Sequence, residues 1–231
     1  MQDLGTILGV WAHPDDEGYL SAALMADAAR SGRRVTCVTA TRGEAADPER
    51  WPPDELARIR ELELEASLAI LGVTDHRWLD YHDGECADVD ADEAAARIAA
   101  IIEEVRPDTV LTFGPDGITG HPDHIAVSDW TTRAVKLADT GAALYYSTSS
   151  KEWRDRFEHI AKANGVMMGA DSMPWAPVEE LAIWARAEGD LLDLKEQAML
   201  AQASQVGVLR DAVGPEMYRE LLREEAFRRV S

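Results

Sequence analysis

TILGVWAHPDDE, residues Thr6 to Glu17, is an apolar run that stops abruptly at a histidine, a proline and three acids. The first seven residues have strand length and no polar alternation, the pattern of a strand covered on both faces. Beyond it, Leu20, Ala23, Leu24 and Ala28 recur at spacings of three and four. Gly32 stands where a helix stop is expected, so Glu17 to Ser31 reads as one helix. RVTCVTA, Arg34 to Ala40, is then a second buried strand. Strand, helix and strand form a βαβ unit, whose default is a parallel pair joined by a right-handed crossover.

The alternation continues outward. Pro53 to Leu71 reads as a helix closed by Gly72, Asp92 to Glu104 as another halted before Pro107, and DTVLTF, Asp108 to Phe113, as the next strand. Ile125 to Ala138 is expected to be helical and Ala143 to Ser147 a further strand. Residues 148–178, with Pro174 and Pro177 near their end, read as mixed structure, a helix with a lid or substrate loop. Glu179 to Arg229 reads as mainly helical. This order predicts an α/β fold, a three-layer α/β/α sandwich with a mostly parallel sheet. No repeat, low-complexity tract or linker interrupts residues 1–231, and one domain is expected.

Composition narrows the partners. A formal charge of −20, from 43 acidic against 23 basic residues, repels phosphate backbones and anionic bilayers, so neither nucleic acid nor a membrane is an expected partner. Met1 to Gly5 carry no basic leader, and no run approaches the ~18 apolar residues of a membrane span, which predicts a cytoplasmic chain. Cys37 reads as core packing and Cys86 has no assignment; two thiols without regular spacing are expected to be reduced.

The chemistry lies in two motifs. HPDDE, His13 to Glu17, falls at the end of the first strand, on the side of a parallel sheet where ligands gather. Its acids suit a helix N-terminus, and equally a cation. GHPDH, Gly120 to His124, follows a later strand and the loop GPDGITG, which brings both motifs to one face of the sheet. His13, Asp16 and His124 then supply two imidazoles and one carboxylate, an open and therefore catalytic metal set. A metal there activates water. Asp15, adjacent to a ligand, is the candidate general base, and His121 is free to stabilise an oxyanion or protonate a leaving amine.

AHPDDE paired with GHPDH resembles the PIG-L/LmbE-like family of zinc-dependent de-N-acetylases. Thr41-Arg42-Gly43-Glu44, Arg60-x-x-Glu63, LDYHDG from Leu79 to Gly84 and KEQAMLAQASQ from Lys195 to Gln205 are similar to further family segments. The resemblance implies a Rossmann-like fold and deacetylation of N-acetylglucosaminyl compounds. It also implies His13, Asp16 and His124 as Zn2+ ligands, with Fe2+ able to take the same place, Asp15 as base and His121 as transition-state partner. Arg60 and Asp83 fall where some members contact the sugar or cyclitol, and Arg42 and Glu44 are further candidate substrate contacts. Two positions depart from the pattern: Thr119 stands where mycothiol-pathway members carry tyrosine, and Gln202 where many relatives carry histidine.

The expected partner is a small acylated amino sugar or glycoconjugate, and assembly into a homo-oligomer is left open. An amidase acting on a thiol conjugate or another acylated amine would use the same residues. A non-haem Fe(II) oxygenase shares the two-histidine, one-carboxylate set, but it commonly sits on an all-β scaffold and would leave Asp15 and His121 idle. A non-catalytic carbohydrate-binding module would need none of these side chains.

Overall fold

A computed structural model describes residues 1–230. The chain begins with β1 (Ile7–Trp11), α1 (Asp16–Leu20), α2 (Ala22–Arg30) and β2 (Val35–Thr39), continues through α3 (Pro53–Leu71), β3 (Asp75–Trp78) and α4 (Ala91–Val105), and returns to the sheet as β4 (Thr109–Phe113). The turn α5 (Gly117–Gly120), α6 (Pro122–Ala138), β5 (Ala143–Ser150), α7 (Lys151–Ala163) and β6 (Trp175–Ala176) follow. The last part holds β7 (Ile183–Arg186), α8 (Gly189–Ala201), α9 (Ala203–Val213), α10 (Pro215–Leu221) and β8 (Glu224–Arg229).

The strands form one sheet in the order β3-β2-β1-β4-β5-β8-β7, with β6 pairing β5. The first five are parallel, whereas β8 runs antiparallel to both β5 and β7. Every residue of β1, β2 and β4 is buried, as continuous apolar runs require in a sheet covered on both faces. The helices pack as two groups, α4 on α6, and α2 and α3 on α8, giving the expected three-layer sandwich. Trp11 and Trp130 lie fully inside the main core.

Two sequence expectations change, and one strand was not foreseen. The helix expected over Glu17 to Ser31 is two helices, broken at Ser21, whose φ is −147° and ψ 4°. The break has a partner: the Glu225 carboxylate accepts hydrogen bonds from the freed N–H groups of Ala23 (2.7 Å) and Leu24 (2.9 Å), and Lys195 Nζ donates to it at 2.7 Å. Glu179 to Arg229 is not all helix, since β7 and β8 extend the sheet. EEAFRR carries helix-forming residues, but pairing against β5 and burial of Glu225, Ala226 and Phe227 override local propensity. The short polar strand β3, DHRW, is half-buried at the sheet edge and carries no apolar alternation to reveal it. Residues 148–178 do contain a helix and a loop, with β5 running on to Ser150. Cys37 and Cys86 are both buried and free, and no described helix is long and apolar enough to cross a membrane.

Candidate metal and active site

From β1 the chain works outward through β2 and β3, while β4 leads to β5 on the other side. The carboxyl ends of β1 and β4 therefore flank the topological switch point, where an open α/β sheet leaves a crevice. HPDD leaves β1 at that point and GPDGITGHPDH leaves β4. Both loops are forced into shape: Asp15 adopts φ 102° and Ile118 φ 63°, conformations that side chains other than glycine rarely hold. Gly120, at φ 80°, has the backbone of Ala170 where a β-carbon would stand, so the turn closes directly on residues 169–170.

His13 Nδ1 and His124 Nε2 lie 3.2 Å apart, His124 Nε2 is 3.3 Å from Asp16 Oδ1, and His13 Nδ1 is 3.6 Å from Asp16 Oδ2. A tetrahedral ion with ligands at about 2.0–2.1 Å separates neighbouring ligand atoms by roughly 3.3–3.4 Å. The His13–His124 and His124–Asp16 separations match such edges, with Asp16 Oδ1 as the carboxylate donor, while Oδ2 accepts the His13 backbone N–H at 2.8 Å. The remaining ring nitrogens fix the tautomers. His124 Nδ1 donates to the Gly117 carbonyl at 3.0 Å, and His13 Nε2 meets Asp83 Oδ1 at 3.0 Å and Asp123 Oδ2 at 3.1 Å, so both inward nitrogens present lone pairs. Phe113 stacks on His124, with centroids 4.1 Å apart.

The electrostatics point to a cation. Burial works to lower the His13 pKa, yet Asp123, Asp16 and Asp83 overcome it and hold the ring well above its ordinary value. Burial also works against ionised Asp16, but His124 and His13 bring its pKa down, while burial drops His124 to about 4. Burial pushes the Asp15 carboxyl up to about 7, with Asp16 adding to the rise and Arg60, 3.8 Å away, opposing it. Asp15 makes no side-chain bond to the helix it precedes, so its carboxylate is not used as a cap.

His121 caps α6 by accepting the Asp123 N–H on Nδ1 at 3.1 Å. Burial and the charge on His13 lower its pKa, and because Nδ1 accepts, Nε2 is the nitrogen free to carry a proton into the site. Asp123, which the sequence reading passed over, is fully buried. Besides His13 it receives the N–H groups of Gly84 (2.7 Å) and Cys86 (3.2 Å), fastening the loop after β3 to the site. Its place between two histidines in HPDH was the available signal.

The other candidates divide. Asp83, Arg60 and Thr119 line the cavity with the ligands; Arg42 and Glu44 do not. Arg42 pairs with Asp80 at 2.7 Å and lies over Trp78, and Glu44 accepts the Asp83 N–H at 3.1 Å, so both serve their own loops. Arg60 is buried, donating to the carbonyls of Gly43 and Pro14; a β-carbon on Gly43 would overlap its guanidinium, which accounts for glycine at that point in TRGE. Gln202 reaches Glu17 at 2.7 Å and Ser67 at 3.2 Å rather than the cavity. His82 lies 3.4 Å from Glu44, well outside the ligand cluster.

Comparison with known proteins agrees with this geometry. The sequence pattern of the PIG-L family, GlcNAc-PI de-N-acetylase, matches residues 8–135. A 1D-myo-inositol 2-acetamido-2-deoxy-alpha-D-glucopyranoside deacetylase of Kineococcus radiotolerans is 41% identical over 57% of this chain and 45% of its own length. The chain thus spans about half the length of the first curated relatives it matches. A protein of the same name from Thermobispora bispora is 36% identical over 96% of this chain and 86% of its own length. The N,N'-diacetylchitobiose deacetylase of Pyrococcus horikoshii superposes with a TM-score of 0.66 at 22% identity, covering 99% of this chain and 84% of that one. A likeness at that identity carries the fold and not the reaction. On the match to its sequence pattern and the near full-length relative, the chain belongs to the PIG-L family.

Proposed function

We propose that the chain is a metal-dependent hydrolase that removes the acetyl group from an N-acetylated amino sugar, with zinc as its metal and iron(II) able to occupy the same ligands. The observation that carries this reading is the convergence of His13 Nδ1, His124 Nε2 and the Asp16 carboxylate at separations of 3.2 to 3.6 Å, close enough for one ion to be held by all three. A bound divalent ion supplies Lewis acidity, which polarises an amide carbonyl and makes water acidic enough to act as nucleophile near neutral pH. Asp15 takes the water proton and returns it to the departing amine. His121 donates Nε2–H to the oxyanion, its Nδ1 being held as the acceptor of the Asp123 N–H. Asp83 and Thr119 border the cavity where the sugar hydroxyls would lie, and Arg60 positions Asp15.

The names of the curated relatives support an N-acetylglucosaminyl substrate. Acetate release from a panel of N-acetylglucosaminyl conjugates, including N-acetylglucosaminyl-inositol, tests the proposal. Turnover of at least one that is lost on chelation is the expected outcome; no acetate from any of them contradicts it.

A further inference from the structure

The cavity holding the proposed ligands has a volume of about 640 Å³ and two unlike halves. Toward β2 and β3 it is bounded by Arg60, Asp83 and Gly84, whose charged groups stand beside the small residues Ala45 and Ala46. Toward β5 the wall is carbon: Trp153, Phe157 and Ile160 of α7, Met173, and Leu209 and Leu221 of α9 and α10. The polar groups on that side are largely spent within the protein. Ser149 Oγ donates to the Pro174 carbonyl at 2.7 Å, Asn164 Nδ2 to that of Ile160 at 2.8 Å, and Glu224 accepts from Ser150 and from Trp184 Nε1. Thr148 keeps a buried hydroxyl without a partner. The apolar wall reaches the mouth of the cavity, where Met168 is 53% and Val208 72% exposed.

The metal ligands lie between the two halves, at the ends of β1 and β4. A secondary amide is trans, so its two substituents leave the reacting carbonyl in opposite directions. With the sugar hydroxyls on the Asp83 side, the acyl group faces α7 and α9. A single methyl covers little of that wall, and cavities of this size enclose ligands of drug-like bulk. We infer that the acyl group this site takes is an extended alkyl chain of several carbons, not acetyl alone. The inference rests on the amide-hydrolase reading above. The reaction is the same: the C–N bond breaks, water oxygen bonds to the acyl carbon, and the amine leaves with the proton, releasing a fatty carboxylate.

The test is a series of N-acylglucosamines from acetyl to decanoyl. The ratio kcat/KM is expected to rise by about fourfold per methylene until the chain reaches the mouth. Val208→Asp, at an exposed position that should not disturb folding, is expected to cut the octanoyl-to-acetyl ratio several-fold. A ratio that is flat or falls from acetyl overturns the inference, as does a stronger preference for an octyl group on the anomeric oxygen of N-acetylglucosamine than for an octanoyl group on nitrogen. Calorimetry with N-ethyl- and N-octylglucosamine, which contain no amide, separates the two readings. Tighter binding of N-octylglucosamine supports the apolar subsite even if no amide is cleaved, a result that would sink the hydrolase proposal alone. Equal binding overturns the subsite and leaves that proposal standing.

Discussion

Asp15 sits at φ 102° and ψ −27°, a backbone conformation that costs on the order of 1–3 kcal/mol. It is held there by bonds on both sides: Arg60 donates to the Pro14 carbonyl, Asp15 N–H donates to Glu17 Oε2 at 3.0 Å, and Tyr19 N–H donates to the Asp15 carbonyl at 3.0 Å. A strained residue that could be relieved by glycine is explained if its carboxylate is needed. Asp15→Asn is expected to bind metal as the wild type does and to lose about 10²–10⁴-fold in kcat; near-native turnover would remove Asp15 from the base role. Asp15→Gly should abolish turnover yet raise Tm by about 2–4 °C for each kcal/mol of strain and buried charge relieved, measured by calorimetry. His13, Asp16 and His124 were legible in the sequence because HPDD and HPDH place them within a few residues of strand ends. Asp123 was not, since its role depends on His13 and Gly84, brought to it only by folding. Arg42 and Glu44 were candidate substrate contacts on the family resemblance, and their partners in the fold, Asp80 and the Asp83 backbone, are supplied by the neighbouring loop.

The element least legible in the sequence, β8, supplies the anchor for the helices behind the site. Lys195 and Glu225 are buried, and Lys195 Nζ also donates to the Tyr19 carbonyl at 2.7 Å, so α8, β8 and the break between α1 and α2 meet at one ion pair. Lys195→Met leaves the Glu225 carboxylate buried with only two backbone N–H partners and should cost about 3–5 kcal/mol in urea unfolding. Adding Glu225→Gln should restore part of that loss; no recovery would show that Lys195 acts by packing. At the opposite edge, Asp75 of β3 bonds Arg77, Arg34 and Thr36, whose pull outweighs partial burial and holds its pKa at about 2 against an ordinary 3.8. A carboxylate with a lowered folded pKa stabilises the fold fully above its unfolded pKa and loses that contribution as pH falls through the folded one. The stability gap between wild type and Asp75→Asn should therefore be constant above 3.8 and close as pH drops toward about 2. A gap independent of pH would mean the contribution is not electrostatic. Nothing in DHRW announced this strand, because an edge strand needs no apolar face to find its place in the sheet.

For the whole molecule, alternating buried runs and amphipathic helices made the sandwich readable, and the reversal of strand order between β1 and β4 explains why two distant motifs converge. The antiparallel pair β7 and β8 lay beyond that reading, since their partners are chosen by tertiary burial rather than by local pattern. The convergence is also the ground for proposing a metal: four carboxylates, from Asp15, Asp16, Asp83 and Asp123, surround His13, and Arg60 is the one arginine or lysine lining the cavity among the described residues. The direct test is to strip the protein with a chelator and titrate it with zinc, reading metal per chain and acetate released from an accepted N-acetylglucosaminyl conjugate. Turnover should vanish on stripping and return as zinc approaches one per chain, with no return in His124→Ala. A stripped protein that turns over at the original rate would contradict the metal site and the mechanism built on it.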